Sequence, residues 1–370
     1  MKILHIFKTY FPDSMGGIEQ FIYQLASRHI AAGHEVTVLS LSKSVKKPEK
    51  QTINGITTWR FPLDIEIASN GFSFSLFWHI RRIALDHDLI HYQFPWPTGD
   101  LLHQFIPRHI PALVSYQSDI VKQKWLKWFY KPLMYRFLNQ MQSIIAASPN
   151  YIASSPVLQH YKDKVKMIPI GLDESLYPTP SPDLIAKWRN LLGEEFFLFL
   201  GVLRYYKGLH IAIEAALKNG KTLVIAGSGG LEKALKAQAN GAENIHFTGQ
   251  VSDEDKMALL SLCRAFVFPS HQRSEAFGIS LLEAAMSGKP MISCEIGTGT
   301  SFVNQADITG LVVPPEDSEA FSAAMLKLCD KERATQMGKA ARLHYESLFT
   351  ADQMAEDYLG IYATLVQHCK

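Results

Sequence analysis

Two hydrophobic periods alternate along most of the chain. Short apolar runs rich in β-branched and aromatic residues, at 3–7, 35–41, 89–92, 112–115, 143–147 and 165–168, predict buried strands, and the stretches between them carry helical spacing, clearest over 18–32. The pattern stalls at Pro178-Thr179-Pro180-Ser181-Pro182, which can continue neither element and reads as a linker. It restarts with strands at 196–200, 222–226, 245–247, 265–268 and 290–293. Strand–helix alternation of this kind predicts an α/β fold with two doubly wound parallel sheets. We expect a first domain over 1–175, a second over 176–350, and an amphipathic helix over 351–370 that packs back, with the first domain as its expected partner.

Composition narrows the class. At 370 residues with 47% hydrophobic and 19% charged, the chain is an ordinary globular protein of about two domains. No apolar run approaches the roughly 18 residues that span a bilayer. The start, Met1-Lys2-Ile3-Leu4-His5-Ile6-Phe7, reads as a buried strand and not as a signal peptide, so a cytoplasmic location is expected. Cys263, Cys294, Cys329 and Cys369 are widely spaced and fit neither a disulfide framework nor a zinc site. The net charge of +2 hides an asymmetry: residues 1–173 hold 19 Lys and Arg against 12 Asp and Glu, and the remainder holds 18 against 23. A basic half suits an acidic ligand, an anionic membrane or nucleic acid.

Three segments offer chemistry. Gly16-Gly17 stands between the first strand and the first helix, where glycines let the backbone approach a ligand and helix-start N–H groups favour an anion. After the strand at 196–200, Arg204 and Lys207 place two cations at a strand's carboxyl end, suited to a diphosphate: the guanidinium grips oxygens in a fork and the ammonium adds a point charge. The stretch Glu275-Ala276-Phe277-Gly278-Ile279-Ser280-Leu281-Leu282-Glu283 runs from a strand through a glycine turn into a helix. Phe277, Gly278 and Ile279 would supply helix-start N–H groups. Glu275 and Glu283 would lie about 12 Å apart at the helical rise, a span that suits one carboxylate on a transferred sugar and the other on a ribose. Glu283 falls in an apolar run, and a buried carboxylate needs a partner.

With these residues in place, the chain resembles the retaining glycosyltransferases that use nucleotide-activated sugars on the GT-B fold, two Rossmann-like domains facing a cleft, a family that includes bacterial mannosyltransferases of polysaccharide assembly. The likeness runs through Gly16-Gly17-Ile18-Glu19, Ser148-Pro149-Asn150, Ile168-Pro169-Ile170-Gly171-Leu172-Asp173, the turn at 204–208, Gly227-Ser228-Gly229-Gly230, Phe247-Thr248-Gly249-Gln250-Val251, the stretch at 275–283, and Thr309-Gly310-Leu311-Val312-Val313-Pro314. The resemblance implies that Arg204, Lys207 and Glu275 carry the chemistry. Val251, Phe277, Gly278, Ile279 and Glu283 would hold the donor together with Gly16 and Gly17, and Glu19, Gln117 and Asp119 would contact acceptor or sugar. It implies no cofactor and no metal. Two positions depart from the family pattern: Val202 stands where an arginine is common, and Gln117 stands where a histidine is expected near the sugar. Glutamine can hydrogen-bond a hydroxyl but is neither acid nor base.

Other signals weigh less. Asp86-His87-Asp88 matches a manganese-binding spacing but reads as a surface turn, and Gly227-Ser228-Gly229-Gly230 has Glu232 where a dinucleotide site needs a small residue. The segment 122–136 holds five cations, five aromatic residues and no acid. It fits an anionic lipid interface through Lys122, Lys124, Trp125, Lys127, Trp128 and Lys131, with a helix's core face as the alternative use of its rings. The expected partners are a nucleotide sugar, a lipid-linked saccharide acceptor and an anionic membrane surface met peripherally, with no nucleic acid. A sugar-nucleotide epimerase of the same fold and a non-catalytic partner protein are the alternatives.

Overall fold

A computed structural model describes residues 1–14, 16–67, 70–120 and 124–368, with the side chains at 124–129 outside the described part. The chain forms two compact units, Met1–Gly171 with Ala351–Lys370, and Leu172–Thr350.

In the first unit the elements are β1 (Lys2–Ile6), α1 (Gly17–Ala31), β2 (Glu35–Ser42), β3 (Glu49–Ile53), β4 (Ile56–Pro62), β5 (Ile65–Ile67), β6 (Asn70–Phe72), α2 (Phe74–Leu85), β7 (Leu89–Phe94), α3 (Pro97–Leu102), β8 (Ala112–Tyr116), α4 (Lys124–Gln140), β9 (Ser143–Ala146), α5 (Pro149–Ser154), α6 (Pro156–His160) and β10 (Val165–Met167). The second holds α7 (Pro182–Leu192), β11 (Phe197–Leu200), α8 (Leu209–Asn219), β12 (Leu223–Ala226), α9 (Glu232–Ala239), β13 (Ile245–Gly249), α10 (Asp253–Leu262), β14 (Ala265–Phe268), α11 (Ile279–Met286), β15 (Met291–Cys294), α12 (Thr300–Val303), β16 (Gly310–Val313), α13 (Ser318–Lys327) and α14 (Lys331–Leu348). The last helix, α15 (Ala351–His368), belongs to the first unit and packs on α1.

The first sheet has the order β10-β9-β8-β7-β1-β2-β4-β3, parallel except for the edge strand β3. The second, β13-β12-β11-β14-β15-β16, is parallel throughout. Strands β3 to β6 were not foreseen, because β3 lies at an edge with mixed exposure and β5 and β6 have only three residues each, too short to show a period. The proline-rich stretch is not the junction. The units divide at Gly171/Leu172, and Ser181 caps α7 with its hydroxyl while Pro182 takes the first helical position, where a missing N–H costs nothing.

Strand order fixes where loops converge. In the second sheet the chain winds outward from β11 to β12 and β13, then returns to the other side of β11 with β14, so the loops after β11 and β14 part at the switch point. In the first sheet the same reversal falls between β1 and β7.

Candidate active site

The loops after β11 and β14 are stitched together in the second unit. Gly208 sits at φ 68°, where a Cβ would lie 1.9 Å from the Pro269 carbonyl oxygen, so only glycine allows the approach. The His271 amide donates to the Tyr206 carbonyl at 3.0 Å, and His271 Nε2 lies 2.9 Å from the Tyr205 carbonyl oxygen. This contact sets Lys207 against Glu275: the ammonium donates to Glu275 Oε2, which also accepts the Ser270 hydroxyl at 3.3 Å. Both side chains are largely buried, and the Phe268 ring lies 4.9 Å from the Lys207 nitrogen. The apolar ring on one side and the carboxylate on the other fix the ammonium in position.

Glu275 is not on a helix. Its amide bonds to the Gln272 carbonyl in a turn, and α11 begins only at Ile279, after Gly278 at φ 93°. The helical-rise spacing between Glu275 and Glu283 therefore does not apply. Gly278 is required there because a Cβ would come within 2.9 Å of the Phe268 ring. Among the described residues the N–H groups of Phe277, Gly278 and Ile279 make no hydrogen bond, while the Phe277 side chain is buried. These are open donors at the start of a helix beside the Lys207–Glu275 pair, an arrangement suited to phosphate oxygens.

Glu283 has the partner that its burial demands. Lys256 of α10 donates to Glu283 Oε1 at 2.8 Å and reaches Asp253 at 2.9 Å. Burial alone would push the Lys256 ammonium down, but the charge and hydrogen bond of Glu283, with Asp253, hold it above its ordinary value. The Tyr177 ring lies 4.9 Å from that ammonium, and burial followed by the nearby Glu283 charge raises the Tyr177 hydroxyl. No hydrogen bond or ion pair among the described residues joins this group to the Lys207–Glu275 pair. Arg204 is exposed and makes no ion pair among the described residues; Val202 is half exposed beside it. Val251 is half-buried just after Gly249, in the loop between β13 and α10. Sequence reasoning missed Lys256, Tyr177 and Ser270. Buried Glu283 called for a cation, but no spacing pointed to one on another helix.

In the first unit Gly16 caps α1 and Gly17 opens it. Glu19 is buried and turned back: it accepts the Ser14 hydroxyl at 2.7 Å, and a Cβ on Gly16 would lie 2.5 Å from Glu19 Oε2. Its carboxylate therefore shapes the glycine loop. Before it, Asp13 takes a paired contact from Arg60 at 2.8 and 2.9 Å with the hydroxyls of Ser42 and Ser44; burial opposes its charge, but these donors bring its carboxyl below the ordinary range.

After β8, Gln117 Nε2 donates to Gln93 Oε1 at 2.8 Å, and Gln93 Nε2 lies 3.3 Å from His91 Nε2. Asp119 accepts the hydroxyls of Tyr116 at 2.9 Å and Ser155 at 2.7 Å. His91 is fully buried, kept neutral by burial and by its neighbours His5 and His29, and it contacts Tyr362 of α15 at 2.7 Å. His103 is half-buried, its pKa lowered by burial to about 4.

Of the segment at 122–136, Lys122 lies outside the described residues. Lys124, Trp125, Lys127 and Trp128 lie on α4 with side chains outside the described part. Lys131 is exposed over the Tyr135 ring at 5.6 Å, while Met134, Phe137 and Leu138 anchor α4 in the core. Asp86-His87-Asp88 lies at the amino ends of the strands, where Asp88 accepts the Lys2 amide at 2.7 Å. Burial raises Cys263 and Cys294 to about 11 and about 12, as for inert core thiols, and Cys369 lies outside the described residues. No helix among the described residues is long and apolar enough to cross a membrane.

Comparisons with known proteins identify the family and the fold. Residues 181–344 match the family model described as glycosyl transferases group 1, and residues 15–176 match glycosyltransferase family 4. The chain is 49% identical to D-rhamnosyltransferase WbpZ of Pseudomonas aeruginosa, over 95% of this chain and 93% of that protein. It is 45% identical to O-antigen chain mannosyltransferase C of Escherichia coli, over 99% of each. Among solved structures, a sucrose-phosphate synthase from Thermosynechococcus elongatus superposes with a TM-score of 0.80 at 21% identity over 99% of both chains. WaaG, a glycosyltransferase involved in lipopolysaccharide biosynthesis, superposes at 0.70 and 17% identity, over 97% of this chain and 99% of that one. The fold is thus GT-B, and with relatives this similar over nearly its full length the chain belongs to the group 1, family 4 glycosyltransferases.

Proposed function

We propose that this glycosyltransferase moves a hexose, with mannose as the preferred sugar, from a nucleoside diphosphate sugar such as GDP-mannose to a lipid-linked saccharide in surface polysaccharide assembly, with retention of the anomeric configuration. The observation that carries the donor half is the fixed Lys207 ammonium beside Glu275 and the open amides of Phe277, Gly278 and Ile279. Departure of the sugar builds charge on the diphosphate, and donors held in place before the reaction stabilise that charge at little reorganisation cost. Arg204, exposed and without an ion pair among the described residues, can close on the same oxygens.

Glu275 takes hydroxyls of the transferred sugar, Glu283 with Lys256 takes the ribose, and backbone near Val251 meets the base. Gly16 and Gly17 border phosphate and acceptor, with Gln117 and Asp119 toward the acceptor. No side chain serves as nucleophile. The leaving diphosphate accepts the acceptor hydroxyl proton as the new bond forms on the same face, and catalysis is positioning plus electrostatics. No metal takes part, and the enzyme works in the cytoplasm at the inner face of the membrane.

The name of one relative, O-antigen chain mannosyltransferase C, supports the choice of sugar and pathway class, while the other is named a D-rhamnosyltransferase. The test is transfer from radiolabelled GDP-mannose, UDP-glucose and GDP-rhamnose to a lipid-linked acceptor in EDTA, with the product anomer read by NMR. Transfer from GDP-mannose with the α-configuration kept is expected. An inverted product, or strict dependence on manganese, overturns the mechanism. Preference for another donor overturns the assigned sugar.

A further inference from the structure

Strand β7 is buried along its whole length, yet His91 and Gln93 interrupt its apolar run. Two apart, they share one face of the sheet, and Ser115, the β8 partner of Gln93, joins them there. Buried polar groups cost free energy unless they are hydrogen-bonded, and α15 brings two hydroxyls to this face. His91 Nδ1 lies 2.7 Å from the Tyr362 hydroxyl, His91 Nε2 lies 2.7 Å from the Ser115 hydroxyl, and that hydroxyl lies 2.6 Å from the hydroxyl of Tyr358. The His91 ring stacks on Tyr358 with centroids 5.1 Å apart. Gln93 Nε2 lies 3.3 Å from His91 Nε2, and Gln93 Oε1 accepts from Gln117 Nε2 at 2.8 Å. His91, Gln93, Ser115, Tyr358 and Tyr362 are each at most 3% exposed.

These partners fix where the protons sit. Burial, followed by the neighbouring His5 and His29, holds His91 well below the ordinary imidazole value, so the ring is neutral and carries one N–H. An amide nitrogen donates only to a ring nitrogen without a hydrogen, so the approach of Gln93 makes Nε2 the acceptor. Nδ1 then carries the hydrogen and donates to Tyr362, while Ser115 donates to Nε2 and accepts from Tyr358. With the hydrogen on Nε2 instead, Gln93 would turn its oxygen to the ring and its nitrogen to Gln117, and the Gln117 amide would turn over in response. The His91 tautomer and the Gln117 amide therefore form one two-state system. In the observed state Gln117 Oε1 makes no hydrogen bond among the described residues, and the Gln117 backbone is held by its N–H on the Phe94 carbonyl at 3.0 Å.

We propose that His91, Gln93 and Tyr362 are positioning residues that hold the Gln117 side chain with its carbonyl oxygen toward the ligand, so that this point of the site accepts a hydrogen bond from a sugar hydroxyl and offers none. Helix α15 thereby sets the polarity of a binding group through two intervening side chains. The proposal rests on the reading of Gln117 as an acceptor contact for the identity of its ligand, while the network stands on the distances above.

Removing one oxygen at a time from the same helix separates this role from packing. Tyr362→Phe takes away the acceptor of the Nδ1 hydrogen, so the ring moves its hydrogen to Nε2, where Ser115 accepts it; Tyr358→Phe leaves that acceptor in place. Both variants keep the ring and its packing, and circular dichroism checks that they fold. Long-range proton–nitrogen NMR of histidine-labelled protein should show His91 protonated on Nδ1 in wild type and in Tyr358→Phe, and on Nε2 in Tyr362→Phe. With GDP-mannose as donor and octyl α-mannoside as acceptor probe, Tyr362→Phe should raise the acceptor KM about three- to fivefold with turnover and donor KM kept. Tyr358→Phe should change neither KM, and Tyr362→Phe should add nothing in a Gln117→Ala background. The proposal is overturned if wild-type His91 carries its hydrogen on Nε2, if Tyr362→Phe leaves the tautomer unchanged, or if the tautomer changes and neither KM moves. Equal effects of the two tyrosine variants on the acceptor KM also overturn it, because the network is then packing only. A changed tautomer with the donor KM raised and the acceptor KM kept sinks the acceptor reading of Gln117 alone. Absence of transfer to the probe likewise counts against the acceptor reading alone, since the imidazole spectrum still decides the network.

Discussion

The two units share a parallel, doubly wound plan, yet the polar groups buried around Glu275 and Glu283 and those leading to Gln117 differ in kind. In the unit Leu172–Thr350 they are charges in opposite pairs, Lys207 with Glu275 and Lys256 with Glu283. In the other unit they are mostly neutral: His5, His29 and His91 lie beneath α15 with Tyr358 and Tyr362, and the network runs through Ser115 and Gln93 to Gln117. One plan thus supports two chemistries. The winding decides where loops meet, and the side chains decide whether that place attracts an anion or reads uncharged hydroxyls.

Acid should separate the two units most strongly. Burial lowers His5 to about 3 and His29 and His103 to about 4. A folded value below the unfolded one means that the unfolded chain binds more protons, so this stability is complete above about pH 6.5 and is lost as pH falls toward the folded values. At pH 5 each of the three costs on the order of 2 kcal/mol. Hydrogen exchange should show α1 and α15 opening steeply between pH 6.5 and 5 while β11 to β14 stay protected; equal acceleration in both units would break the comparison.

Next in size is the Lys207–Glu275 pair. Lys207→Ala should lower turnover about 10²- to 10³-fold, as loss of one fixed donor at a developing charge does, and raise the donor KM much less. A rise in KM with turnover kept would mean that the ammonium binds donor and transition state alike.

Glu283→Ala should weaken nucleoside diphosphate binding by about 1.5 to 3 kcal/mol in calorimetry. Because it also leaves Lys256 without its main partner in a low-dielectric place, Lys256→Met/Glu283→Met is the sharper variant. It should recover thermal stability without recovering nucleotide affinity, and recovered affinity would reduce Glu283 to a structural counter-ion.

The smallest expected effect is at Gln117. Gln117→Ala removes one neutral hydrogen-bonding group and should lower kcat/KM for the acceptor by about 1 kcal/mol, with nucleotide affinity unchanged. A loss of nucleotide affinity would place Gln117 with the donor.

The sequence by itself determined the α/β alternation, the long parallel strands, and the local turns at Gly16-Gly17, 204–208 and 275–283, because period, glycine placement and strand-to-helix order are written in neighbouring residues. It also marked Glu283 as a carboxylate in need of a partner. Only the tertiary structure supplied Lys256, from a different helix, and showed Glu275 in a turn held by Lys207 and Ser270. It alone turned Glu19 inward to Ser14, set α15 on α1 over buried histidines, and left Trp78 outside. These outcomes depend on which elements pack together across tens or hundreds of residues, and a local period carries no record of that. The α2 pattern predicts a helix with two faces, but which residues stay uncovered is decided by the area its neighbours can bury.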